Sequence, residues 1–245
     1  MILKILLSGV LLFCAGVLWA SESGWREDFS RTKLENEQLI PMDWAFGGSR
    51  MGAPSTRFYV KDCAELKKPI LVVDSRRSTG ALMCRPSDRN ADLSKTPILR
   101  WRWRVKSLPP GGDGRGAKVD DQAIAIYIGG PGTFSQKSIA YRWETETPLN
   151  TTGKITYGLG ALTVNWICIR NKETTLGAWH EETRDIAADY QKYYGHVPER
   201  FVISVCGNSQ YSKSDTIAEV EFLELVPRSK IEAPAPQLLA DQTQP

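Results

Sequence analysis

The stretch Leu99-Arg100-Trp101-Arg102-Trp103-Arg104-Val105 is compatible with one kind of backbone. Leu99, Trp101, Trp103 and Val105 recur at period two, with an arginine between each pair. Wound into a helix, the indoles and guanidiniums would scatter around the circumference. Extended as a strand they separate completely, because successive side chains point to opposite faces. A strand with one apolar face must press that face against another layer, so the chain needs a second sheet or helices to cover it.

Further extended segments follow the same logic. Arg57 to Val60 and Ile70 to Asp74 are rich in Val, Ile and aromatics, and a Ser78-Thr79-Gly80 turn precedes Ala81 to Cys84. Ala123 to Ile128 places Ile124, Ile126 and Ile128 on one face. Ile139 to Trp143, Leu162 to Ile169, Phe201 to Val205 and Ile217 to Leu225 complete the set. In the last, Ala218, Val220 and Phe222 alternate with Glu219 and Glu221. Residues 25–52 are turn-rich, with a loop expected at Phe46-Gly47-Gly48, and the Pro/Gly-rich run 108–116 cannot hold regular structure. One helix is expected: Asp185 caps it, Ile186, Tyr190 and Tyr193 form its apolar stripe, and Gly195 closes it with Pro198 beyond. Many short strands and one short peripheral helix predict an all-β fold, a two-sheet β-sandwich of jelly-roll-like type.

The ends of the chain speak to its destination. Lys4 followed by an apolar run from Ile5 to Trp19 and small residues at Ala20 and Ser23 reads as a signal peptide over residues 1–20. As a helix that run would rise about 22 Å, short of a ~30 Å hydrocarbon core, and no other segment is apolar enough to cross a bilayer. Bulky Phe13 before Cys14 disfavours lipidation. The expected organisation is a signal peptide, one domain over 25–227 and a flexible tail over 228–245, with the protein exported to the periplasm or beyond. Hydrophobic residues at 42% and charged residues at 24% exclude a disordered chain. With 31 basic against 28 acidic residues and no basic stripe, nothing suggests a nucleic-acid partner.

Removal of Cys14 with the signal leaves Cys63, Cys84, Cys168 and Cys206. An even number in an oxidising compartment suggests two disulfides, with three pairings open; Cys63 with Cys84 and Cys168 with Cys206 is the favoured set, and free buried thiols are the alternative. No Cys-x-x-Cys spacing exists for zinc, and His180 and His196 are the only histidines.

Several residues carry possible chemistry. Asp120 and Asp121 open a core strand after a Gly-rich loop; they suit ion pairs to the arginines of 99–105, or oxygen ligation of calcium. No other cofactor is expected. Arg102 and Arg104 belong either to a solvated face or to a groove for an anionic or glycan ligand. Trp143 and Trp179 are either packing residues or sugar-stacking platforms. Tyr141, His180, Glu181 and Asp185 are the groups a glycan-cleaving enzyme would use, although the ordinary role for Glu182, Arg184 and Asp185 is an ion cluster at the start of the helix. Position 184 is Arg, so His180-Glu181 is no metalloprotease motif; a Gly-x-Ser-x-Gly elbow is missing, and the Gly111–Gly116 loop lacks a Gly-Lys-Ser/Thr ending.

Taken in order, Trp101-Arg102-Trp103-Arg104-Val105, Leu108-Pro109 with Gly111-Gly112-Asp113, Asp120-Asp121-x-Ala123 leading to Ile126-Tyr127, Tyr141 with Trp143, Trp179 with Glu181, and Arg184-Asp185-Ile186 leading to Asp189-Tyr190 and Gly195 resemble a bacterial secreted family. It carries only a serial title, domain of unknown function three-zero-four-seven. The resemblance spans about Asp28 to Leu225 and implies an exported jelly-roll sandwich without an established activity. Cys206-Gly207-Asn208-Ser209 departs from the acidic, Asn- and Thr-rich turn of the family. Two functions follow: non-catalytic binding of a carbohydrate or another cell-envelope component, or a glycan-cleaving hydrolase or lyase on the same scaffold. A structural envelope protein is the third, and a large exposed apolar patch would mark it.

Overall fold

The computed structural model describes residues 24–47, 52–130, 136–157 and 161–231. The expected signal peptide, Gly48 of the expected loop and the tail beyond residue 231 lie outside the described residues. Fifteen strands are described: β1 (Arg26–Glu27), β2 (Thr32–Glu35), β3 (Gln38–Pro41), β4 (Ala45–Gly47), β5 (Arg57–Cys63), β6 (Lys68–Arg76), β7 (Thr79–Cys84), β8 (Ile98–Ser107), β9 (Gln122–Gly129), β10 (Gln136–Trp143), β11 (Thr152–Tyr157), β12 (Leu162–Arg170), β13 (His180–Asp185), β14 (Val202–Asn208) and β15 (Asp215–Val226). One sheet runs β13-β8-β15-β6-β5 with β1 alongside β15; the other runs β11-β12-β10-β9-β14-β7-β4. β2 and β3 form a separate hairpin.

The two sheets form a β-sandwich, closed by the residues whose period-two spacing demanded a cover. Leu99, Trp101, Trp103 and Val105 are fully buried, as are Ile124, Ile126 and Ile128 on the facing sheet. Trp101 stacks on Tyr141 at 5.5 Å between ring centroids, and Trp103 meets Trp143 at 5.6 Å. Each such ring removes on the order of 200 Å² from water, so this aromatic seam between β8 and β10 fixes how the sheets face one another.

The helix is α1 (Ile186–Tyr194). The Asp185 side chain accepts from the Ala188 amide at its start, and Gly195 ends it at φ 74°, a left-handed conformation suited to a residue without a β-carbon. Buried Tyr190 donates its hydroxyl to the Ile128 carbonyl at 2.9 Å. Among the described residues no helix is long and apolar enough to cross a membrane.

Four readings need correction. Phe222 does not continue the inward alternation of β15: a bulge between Val220 and Phe222 reverses the phase, so Leu223 and Leu225 enter the core, and Arg26 lies over the Phe222 ring on the outside. Residues 180–185 are an edge strand paired with β8 rather than only an ion cluster, and the turn-rich N-terminal stretch carries β1 to β4. The four cysteines are unbonded thiols. Cys168 and Cys206 sit on β12 and β14, with β10 and β9 between them. Three strand spacings put them roughly 14 Å apart, beyond the ~7 Å that a disulfide spans. Cys84 packs in the core between the sheets, whereas Cys63 lies outside that core beside Arg104. Burial pushes the thiols of Cys168 and Cys206 up to about 12, leaving little reactive thiolate.

Candidate functional site: a polar trough on the outer face of the second sheet

On β9, β10 and β14, Ile124, Ile126, Ile128, Ile139, Tyr141, Trp143, Ile203 and Val205 face the core, so the alternate positions form the opposite face. Strand register arranges that face in rows. One row runs Cys168, Arg142, Ala125, Cys206, Ala81 across β12, β10, β9, β14 and β7. The next runs Trp166, Ala140, Tyr127, Ser204, Met83. Over that face lies a cavity of about 760 Å³, with the small residues Ala81 and Gly129 in its floor.

Its lining is almost uncharged. The carboxamides of Gln122, Gln136, Asn208 and Gln210, the hydroxyls of Thr79, Ser138, Ser204, Tyr127 and Tyr211, and the apolar Met83, Leu162 and Val202 share it with a single carboxylate, Asp120. Among the described residues no lysine, arginine or histidine lines it.

Within the first row Arg142 is fully buried. Its Nη1 lies 3.7 Å from Asp120 Oδ2 and 3.3 Å from Glu144 Oε1, its Nη2 donates to the Tyr127 hydroxyl at 3.3 Å, and its guanidinium rests over the Trp166 ring at 5.2 Å. Glu144, also fully buried, accepts from the Gly114 amide at 2.6 Å and from the Thr147 hydroxyl. Burial raises the Asp120 pKa above the usual aspartate value; Arg142 opposes that rise, and Glu144 and Asp121 add to it. Asp121 points the other way. Its two oxygens accept from the amides of Tyr211 and Ser212, at 3.2 and 2.6 Å, which holds Tyr211 at the rim.

Trp166 lies flat on bare backbone. A β-carbon at Gly153 would come within 2.9 Å of Trp166 Nε1 and closer still to its six-membered ring. Gly153→Ala must displace the indole and the guanidinium above it. The expected cost is about 1–3 kcal/mol, read as a lowered urea midpoint with an unchanged slope.

Of the ligand-binding candidates singled out from sequence, only Asp120 reaches this trough; Cys206, singled out as a disulfide partner, lines it as well. Arg102 and Arg104 lie on the outer face of the other sheet, already occupied: Arg102 by Glu221 at 2.6 Å, Arg104 by Glu219 and Glu65 at 2.5 and 2.7 Å. Asp120 and Asp121 therefore do not pair with these arginines. Trp179 packs over them, 4.3 Å from the Arg104 guanidinium. Tyr141 and Trp143 are buried in the core, and the Tyr141 hydroxyl donates to Asp189 at 2.7 Å. Glu181 pairs with Arg100, while its neighbour His180 packs edge-on to Trp143 on the opposite face. Asp185, four residues along the same strand and roughly 13 Å from Glu181, caps α1 and binds Arg228 at 2.8 Å. These groups do not converge, so a catalytic pair drawn from them has no geometry. Of the residues not weighed as site candidates, Tyr127, Ser204 and Asn208 had one available signal, the phase of β9 and β14 opposite to the isoleucines; Gln122, Gln136, Arg142, Glu144 and Tyr211 carried no such mark. Among the described residues no cluster of three His, Cys, Asp or Glu side chains is placed to hold a metal ion.

No curated protein matches the chain. Among solved structures, the endoglucanase 3 of Trichoderma harzianum, from glycoside hydrolase family 12, is 9% identical with a TM-score of 0.39, covering 85% of this chain and 99% of that one. A family 30 carbohydrate-binding module from a Clostridium thermocellum cellulosomal cellulase is 11% identical with a TM-score of 0.37, covering 74% and 90%. A family 12 xyloglucanase from Bacillus licheniformis is 12% identical with a TM-score of 0.33, covering 84% and 100%. The family model described as "Protein of unknown function (DUF3047)" matches residues 49–223, from ahead of β5 into β15, and the chain belongs to that family.

Proposed function

We propose that this is an exported, non-catalytic binder of neutral carbohydrate, and that the trough on the second sheet is its binding site. The observation that carries this reading is the lining: among the described residues, amides and hydroxyls, two tyrosines, one carboxylate and no cation surround about 760 Å³. Sugars offer many hydroxyls and apolar C–H faces but no charge, and such a surface satisfies both. A phosphate or carboxylate ligand would find no cation among the described residues of the lining, and the arginines of β8 are held by glutamates on the other face. Export rests on the apolar run Ile5–Trp19. The test is a glycan array probed with protein lacking residues 1–20, with and without calcium. Binding to neutral glycans that does not depend on calcium is expected; silence across the array in both conditions overturns the proposal.

Asp120→Asn separates binding from folding. The folded state raises the Asp120 pKa, so above that value the ionised group costs stability relative to the unfolded chain, where the carboxylate is hydrated. Removing the charge is expected to leave the melting temperature at pH 7 unchanged or higher. Loss of a charged hydrogen-bond acceptor should weaken glycan binding by roughly 1.5–3 kcal/mol, measured by calorimetric titration. A variant that binds normally but melts early would make Asp120 a structural residue.

A second reading, glycan cleavage, has one observation in its favour. Asp120 and Glu144 both approach the same Arg142 nitrogen, at 3.7 and 3.3 Å, so their nearest oxygens lie no more than 7.0 Å apart, a bound that admits the spacing used by paired catalytic carboxyls. Against it, Glu144 is sealed from the trough and both of its oxygens are engaged. Release of reducing ends from a bound glycan, abolished by both Asp120→Asn and Glu144→Gln, would establish cleavage.

A further inference from the structure

The trough opens on a negative charge that its own surroundings do not balance. Three buried carboxylates, Asp120, Asp121 and Glu144, stand just ahead of β9 and just past the end of β10. Among the described residues Arg142 is the only cation paired with any of them, and it meets Asp120 and Glu144. Ionised, the group sets three carboxylates against one guanidinium, and buried charge without a counterion is costly. Asp121 spreads its charge over two backbone amides, and Glu144 is enclosed by the Gly114 amide and the Thr147 hydroxyl. Asp120 alone of the three lines the cavity. Its side chain is only 10% exposed, and Arg142, at 3.7 Å, is too far for a hydrogen bond.

The groups beside Asp120 are turned to receive donors. Pairing advances from Cys206 to Asn208 on β14 while it moves from Ala125 to Gln122 on β9, and this bulge sets Gln122 opposite Asn208 in the lining. Both spend their nitrogens on Asp120. Gln122 Nε2 and Asn208 Nδ2 donate to its carbonyl, the second at 3.2 Å, and the Gln122 side chain also hydrogen-bonds its carboxyl. Gln122 Oε1 and the Asp120 carboxylate are left as acceptors, and the Tyr127 ring shares the lining. A calcium ion would want six or more oxygens, and only one carboxylate opens here. An ammonium group offers three donors and tolerates an aromatic face. The hydroxyls of Thr79, Ser138 and Ser204 and the amide of Gln136 exceed what a bare amine can use, and they suit a sugar. We infer that the trough favours a glycan bearing a protonated primary amine, an amino sugar without its acyl group, with the ammonium over Asp120. This rests on the carbohydrate reading above and adds one positive charge to an otherwise neutral ligand.

The experiment is calorimetric titration of full-length mature protein with β-1,4-linked tetrasaccharides of glucosamine, N-acetylglucosamine and glucose. It is run at about pH 6, where a primary amine is protonated. The glucosamine tetramer should bind at least about tenfold more tightly than either of the others, and added sodium chloride should shrink that advantage. In Asp120→Asn the ratio of glucosamine to glucose affinity should fall to about one, whatever the absolute affinities become. If the acylated or glucose tetramer binds the parent equally well, the amine inference is overturned while the binding proposal stands. A preference that survives Asp120→Asn has the same consequence. Silence from all three tetramers also overturns the amine inference, and the carbohydrate reading falls with it only if the glycan array is silent too. Putrescine competing with the glucosamine tetramer at equal concentration would show a site for a bare amine, against the inference. Circular dichroism melts of parent and variant secure the comparison.

Discussion

Arg142→Met is expected to lower the melting temperature at neutral pH by roughly 10 °C, although methionine fills most of the arginine volume. The guanidinium is fully buried between Asp120, Glu144, the Tyr127 hydroxyl and the Trp166 ring. Deleting it leaves two carboxylates without their shared cation, and breaking a buried ionic group from one side costs about 3–5 kcal/mol. For a domain of this size each kcal/mol is worth about 2–4 °C. Two controls isolate the cause. At a pH low enough to protonate both carboxyls the variant should approach the parent, because no uncompensated charge remains. Arg142→Met combined with Glu144→Gln should lose much less than the two single changes added together, since both act on one cluster. Thermal melts followed by circular dichroism read all of this. A single variant that melts within about 2 °C of the parent at pH 7 would show that the cluster holds nothing together.

That cluster also marks where the sequence was legible and where it was not. The strand of Trp101 and Trp103 announced itself, because three arginines and two indoles at period two have no other arrangement. The same holds for Ile124, Ile126 and Ile128, and for α1, whose cap, stripe and terminal glycine are all local signals. The core faces were therefore readable, and with them the sandwich. The outer face of the second sheet was not, for a physical reason: it consists of the residues left over once the core has taken its share. Ala125, Tyr127, Ser204 and Cys206 have no common chemistry along the chain. They become a surface only when antiparallel pairing of β9 with β14 sets Tyr127 against Ser204. Arg142 and Glu144 are two residues apart and look like an ordinary surface pair; only the parallel pairing of β10 with β12 brings Trp166 against Ala140 and Cys168 against Arg142, and buries them. The arginines of β8 misled in the opposite direction. Their charge was conspicuous, yet their partners Glu219, Glu221 and Glu224 lie more than a hundred residues away. The bulge in β15 that sets those glutamates in place leaves no mark in the sequence beyond an interrupted alternation.

Glu219→Gln is expected to cost about 3 kcal/mol at pH 7 and almost nothing near pH 2. Glu219 is fully buried on the outer face of the first sheet, where Arg104 meets it at 2.5 Å and Lys61 and Lys106 each at 2.9 Å. Burial alone would lift its pKa; the hydrogen bonds from Lys106, Lys61 and Arg104 outweigh that and bring it from 4.5 down to about 2. A carboxyl whose pKa is lower folded than unfolded binds fewer protons in the native state. Its contribution is therefore complete above the unfolded value, and it is lost as pH falls toward the folded one. A depression of this size corresponds to about 3 kcal/mol, lost between about pH 5 and pH 2. Glutamine, which cannot ionise, should show no such loss, so parent and variant converge on acidification. Glu181→Gln is the contrast: its pair with Arg100 is exposed, and its removal should cost less than about 1 kcal/mol at any pH. Denaturant midpoints at pH 7, 4 and 2.5 would compare the three proteins. The outcome bears on function as much as on stability, because a glutamate held this strongly means that the arginine face is saturated by the protein's own carboxylates. If Glu219→Gln instead proved neutral at pH 7, those guanidiniums would be available to an anionic ligand, and the first sheet rather than the second would be the place to look for one.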